Sequence, residues 1–183
     1  VSRLWPIIGL IVLTGSITPV LPGRVFAQSA GATDLKAAFL LNFTKFSEWP
    51  ELPPNTALTL CVVGDQAVDR TLSTLARGQR VNDRDLEVKR LAPADPVEKC
   101  QLLFVASAET AAAKPLLDGA RKLPILTVSD RQGFAAATGI VELFVEGGRM
   151  RFAINVDAVQ RSKIRVSSRL LQMAKIVNDK TAP

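Results

Sequence analysis

The chain has 183 residues, 48% of them hydrophobic, with 23 Lys plus Arg against 17 Asp plus Glu, two Cys and no His or Tyr. That is one domain's worth of globular composition. Without histidine there is no Ser-His-Asp or Cys-His pair, no HExxH zinc site and no imidazole-ligated haem, and two cysteines cannot make a four-thiolate zinc or iron-sulfur site.

Leu4 to Pro22 is an uncharged run behind Arg3 and leads into Val25-Phe26-Ala27 before Gln28-Ser29. A basic start, an apolar middle and a small-residue exit predict a secretory signal peptide over residues 1–27, cut after Ala27. Pro6, Pro19 and Pro22 break the run as a membrane-spanning helix. Cleavage removes Arg3 and Arg24, so the formal charge falls from +6 to +4 and nucleic acid loses its appeal as a partner. In an oxidising compartment, pairing of Cys61 with Cys100 is the expectation, and two buried free thiols are the alternative.

One domain over residues 34–179 accounts for the exported chain. Gly31-Ala32-Thr33 reads as a linker and Thr33 or Asp34 as the cap of a helix stopped by Pro50. Leu35, Phe39, Asn42, Phe43, Phe46 and Trp49 recur at spacings of three and four and form an aromatic stripe. Core packing is the ordinary reading of such a stripe; partial exposure would make Phe39, Phe43, Phe46 and Trp49 a surface for docking a protein.

Ala57 to Gly64 is a short β-branched and apolar run that reads as a buried strand, followed by a helical pattern through Ala67, Val68, Leu72 and Leu75. Leu86 to Leu91 alternates as a half-buried edge strand, and Leu102 to Ala106 is a wholly apolar strand. Glu109 to Lys122 reads as a helix kinked at Pro115, and Pro124 to Ser129 as the fourth strand. Two alternating runs around Gly147-Gly148 predict a β-hairpin, and Ser167 caps a last helix reaching Val177. Strands alternating with helices imply an α/β fold with a mostly parallel central sheet flanked by helices, ending in a late hairpin and a C-terminal helix.

Candidate chemistry is sparse. Gly64, Ser107 and Ser129 stand at strand C-terminal ends, where α/β proteins bind small ligands. A serine hydrolase there would lack a histidine base. Asp83-Arg84-Asp85 reads as a solvated turn rather than a metal site. Arg161 to Arg169 alternates cations with other residues and reads chiefly as a solvated surface. No cofactor, metal or nucleic acid is expected.

Lys36 to Pro50, Leu60-Cys61-Val62-Val63-Gly64, Cys100 to Val105, Pro124 to Asp130 and Arg151 to Asn155 through Ser167-Ser168-Arg169-Leu170-Leu171 together resemble the YfiR family, in order and over nearly the whole exported chain. The resemblance implies a periplasmic homodimer without enzyme activity. It would bind the periplasmic sensor domain of a YfiN-type inner-membrane diguanylate cyclase, repress it, and so lower cyclic di-GMP and biofilm formation. It also implies that Cys61 and Cys100 are the family's disulfide and that Phe39 to Trp49 belongs to its signature helix. Two departures stand out: a second cysteine pair near the late hairpin is absent, and Thr138-Gly139 replaces the usual Gly-Gly. The alternative reading is a periplasmic small-ligand sensor coupled to another receptor, using Gly64, Ser107 and Ser129.

Overall fold

The computed structural model describes residues 23–137 and 139–179, with side chains from residue 31 onward. The expected export segment therefore lies outside the described residues except for its last positions, 23–27, and so does Thr138. Helix α1 covers Gly23–Lys45, starting well before the expected cap and running straight through Gly31-Ala32-Thr33. No proline interrupts this stretch, and one internal glycine costs a helix only about 1 kcal/mol. The helix also ends sooner than expected, because Ser47–Glu48 leaves it to form a two-residue strand, β1, against β9 at Arg165–Val166.

Strand β2 (Leu58–Val63) is buried at every position, as befits a strand covered on both faces. Leu58, Leu60 and Val62 face one apolar cluster with α1 and α2 (Gln66–Ala76), whereas Cys61 and Val63 face a second one. The carboxylate of Asp65 caps α2, its Oδ1 accepting from the backbone N–H of Ala67 and Val68 at 3.1 and 3.0 Å. A tight hairpin follows, β3 (Arg80–Val81) and β4 (Arg84–Leu91) around Asn82-Asp83. Of the anticipated solvated turn only Asp83 belongs to a turn; Arg84 and Asp85 are already strand.

β4 lies parallel to β2, and the chain then crosses to β2's other side, where β5 (Leu102–Val105) also pairs in parallel. This crossover is pinned twice. Cys100 forms a disulfide with Cys61, Cα atoms 5.8 Å apart. Gln101 donates its N–H to the Thr59 carbonyl at 2.9 Å, and its side-chain Oε1 accepts from the Thr59 N–H at 2.8 Å. The buried amide thus continues the β2 ladder where no strand does.

A 3-10 turn (Ser107–Glu109) and α3 (Lys114–Ala120) replace the expected long kinked helix. Pro115 opens α3 instead of bending it, since the first turn needs no N–H there. β6 (Leu126–Ser129), the short α4 (Phe134–Ala137) and the hairpin β7 (Val141–Glu146) with β8 (Arg149–Asn155) follow. The chain closes with α5 (Val156–Ser162), β9, α6 (Ser168–Met173) and β10 (Lys175–Val177). The last helix is shorter than expected: Ala174 is extended, and β-branched Ile176 and Val177 align in parallel with β8 instead.

The result is a single α/β domain with an eight-stranded sheet in the order β10-β8-β7-β6-β5-β2-β4-β3, parallel except at β7/β8 and β3/β4. Among the described residues no helix is long and apolar enough to cross a membrane.

Candidate functional site

β2 has β4 on one side and β5 on the other, so the strand order reverses at its C-terminal end, the position where open α/β sheets hold ligands. Here the chain's own groups border the crevice, and an open cleft lined by Gly64, Gln66, Arg90 and Glu109 lies beside them. Gly64 ends β2 at φ +84°, and a Cβ on it would fall 2.2 Å from Glu109 Cγ. Only glycine allows Glu109 to lie across the strand end. Ser107 donates its backbone N–H to Asp130 Oδ1 at 2.7 Å. Ser129 is fully buried, and its hydroxyl oxygen accepts from the Arg131 N–H at 3.1 Å. The three candidate ligand residues therefore gather at neighbouring strand ends; Ser129 is turned into the protein's own network, whereas Gly64 and Ser107 are exposed.

Lys36 of α1 completes that network. Its Nζ lies 2.6 Å from Asp130 Oδ2 and 3.8 Å from Asp65 Oδ2, with all three side chains about one-fifth exposed. One ammonium thus ties the helix to the ends of β2 and β6, while the other oxygen of each carboxylate binds backbone N–H groups. Sequence reasoning passed over Lys36. The signal was present in the helical spacing: Lys36 lies four and seven residues before Leu40 and Phe43, both fully buried, and a cation on a helix's buried face demands an anionic partner.

The aromatic stripe divides between core and surface. Phe43 is fully buried, and its ring meets Phe152 edge-on at 5.1 Å and Phe39 at 5.8 Å. Phe39 also contacts Phe152, centroids 5.7 Å apart. Trp49 is buried too, held by packing, its Nε1 without a protein partner among the described residues. Phe43 and Trp49 are thus removed from the expected docking surface: the register of α1 turns Phe43 onto the sheet, and the β1/β9 pairing draws Trp49 inward. Phe39 and Phe46 remain half-buried. With exposed Leu35 and Asn42 they form a flank at spacings of four, three and four along α1, where Leu35 is 50% exposed.

Two cations of the basic stretch are paired with carboxylates of the same chain. Arg161 pairs with Asp179, and Lys163 with Glu51 at 3.2 Å. Hydrogen bonds from Arg161, then Asn155, hold the Asp179 carboxyl below its ordinary pKa. Among the described residues no cluster of Asp, Glu or Cys is placed to hold a metal ion.

Compared with known families, the chain matches the one described as YfiR/HmsC-like over residues 33–175, from the second half of α1 to the first residue of β10.

Proposed function

The chain belongs to the YfiR/HmsC-like family, a periplasmic and regulatory family of cyclic di-GMP signalling, and from that premise we propose that it represses an inner-membrane diguanylate cyclase by binding the cyclase's periplasmic sensor domain. In this reading the protein is exported by a cleaved signal peptide, works as a homodimer and carries out no chemistry of its own. Repression follows from differential affinity: binding only the inactive arrangement of the sensor draws the cyclase into it.

The observation that carries the reading is the open flank of α1. Leu35, Phe39, Asn42 and Phe46 give a strip with apolar side chains exposed enough to be covered, backed by the rigid Phe39-Phe43-Phe152 ring cluster. Apolar anchors on a rigid support are what a protein-docking surface needs. The small-ligand alternative would have to use exposed Gly64 and Ser107, since Ser129 is fully buried and its hydroxyl is held by the Arg131 N–H.

Leu35→Glu and Asn42→Arg test the proposal without touching the ring cluster. Both variants should melt like the parent protein, lose co-purification with the cyclase and leave cyclic di-GMP as high as in a deletion strain. Variants that still bind and repress would overturn the α1 assignment, and an unchanged dinucleotide level on deletion would overturn the function.

A further inference from the structure

The sheet has two edges, and they are not alike. β10 offers three residues, and the chain just beyond it is fastened back, Asp179 to Arg161 and Asn155. At the other end β3 pairs only with Arg84 and Asp85, so residues 86–91 of β4 have no strand on their outer side among the described residues. An edge of this length is a template for another strand.

The hairpin tells which groups it offers. Asn82 and Asp83, at φ +50° and +61°, make a two-residue turn flanked by Val81 and Arg84. In such a hairpin the flanking pair exchanges both hydrogen bonds, so the backbone groups of Arg84 point away from β2. By alternation those of Leu86, Val88 and Arg90 point outward as well, and those of Glu87, Lys89 and Leu91 serve the ladder with β2. Leu86 and Val88 pack on the α1/α2 side and Leu91 on the opposite side.

We propose that β4 pairs antiparallel with β4 of a second copy about a twofold axis through Val88, joining two eight-stranded sheets into one. The proposal rests on the dimer clause of the function above and supplies its interface. Residues facing each other across such a seam must lie on the same face, so the partners of Leu86, Val88 and Arg90 are again residues of that set. Centring on Val88 pairs Leu86 with Arg90 of the other copy, and Glu87 with Lys89, twice. Within one chain Lys89 Nζ already lies 3.7 Å from Glu87 Oε2, so the seam closes an alternating square of four charges. The neighbouring permitted registers place Glu87 opposite Glu87 or Lys89 opposite Lys89. The charges that would ordinarily blunt an edge therefore select one register and one occupant, an identical strand.

Sedimentation equilibrium of the exported form at low salt is the test. The parent should be a reversible dimer; Glu87→Lys and Lys89→Glu should each weaken it roughly tenfold, by replacing two attractive cross-strand pairs with repulsive ones. The double exchange should restore dimerisation, and mixing the two single variants should yield a heterodimer. Val88→Pro, which removes an outward N–H that β2 does not use, should leave a folded monomer. A dimer insensitive to all of these would overturn the β4 seam and leave the dimer intact. A parent that stays monomeric at every concentration would overturn both, without touching repression, which the α1 variants read separately.

Discussion

Replacing both Cys61 and Cys100 by alanine removes the covalent tie across the β4-to-β5 crossover. The bridge links residues 39 apart in sequence, the half-cystines are 1% and 3% exposed, and one of them sits in the strand at the switch of the sheet. For a loop of about 40 residues the chain-entropy relation gives ~4 kcal/mol of stabilisation, an upper figure because the unbridged denatured chain keeps some structure. The crossover keeps its second fastening, the paired hydrogen bonds between Thr59 and Gln101, so the fold should survive with its sheet intact. Urea unfolding followed by Trp49 fluorescence measures the loss. With a slope of ~2 kcal/mol/M for a domain of this size, the midpoint should fall by roughly 2 M. The parent treated with a thiol reductant should converge on the same curve. A loss under about 1 kcal/mol would refute the view that this crossover is held chiefly by restricting the unfolded chain.

Gly139→Ala should be more harmful than its size suggests: the new Cβ would lie 1.8 Å from the ring of buried Phe134, costing ~2–3 kcal/mol by overpacking, read from thermal melting. Lys36→Met leaves Asp65 and Asp130 without their shared cation, and at one-fifth exposure the cost should lie between surface and buried values, ~1–3 kcal/mol; a silent variant would show the network to be dispensable. Asp179 has its carboxyl held below the ordinary value of 3.8, first by Arg161 and then by Asn155. A depressed folded pKa gives stabilisation that is present above the unfolded value and lost as pH falls through the folded one. The amide resonances of Asn178 and Asp179 should therefore move toward unstructured values below about pH 4, and Asp179→Asn should produce the same shift at neutral pH.

The interior strands were legible because burial on both faces leaves a nearly continuous apolar run, broken only by Thr59 in Leu58–Val63 and by nothing in Leu102–Val105. The late hairpin announced itself through Gly147-Gly148. Short elements were not legible. β1, β9, β3 and β10 have two or three residues each, too few to show a period, and partners far away in sequence impose them. Lys175-Ile176-Val177 continues a helical pattern locally, and only the vacant edge of β8 makes it a strand. The cysteine pairing was legible once export was expected, since two thiols in an oxidising compartment have only each other to pair with. The split of the aromatic stripe was not, because helical spacing tells which residues share a face but not how far round the helix the core extends.

That split bears directly on how a regulator of this kind can work. The same α1 that offers Leu35 and Asn42 to the outside carries Lys36 into the strand ends and Phe43 onto the sheet. Covering the outer flank therefore loads a helix whose inner face is fixed at both an ionic and an aromatic contact. Such a helix has little freedom to shift when a partner arrives, so little of the binding energy is spent on ordering it. Under the proposed function, differential affinity for the two states of the sensor then has to come from the sensor's own rearrangement, with the protein acting as a rigid template. Lys36→Met separates this from the alternative in which α1 itself moves: loosening the inner contact should weaken binding to the sensor through slower association or faster release, while the exposed residues that touch it stay unchanged.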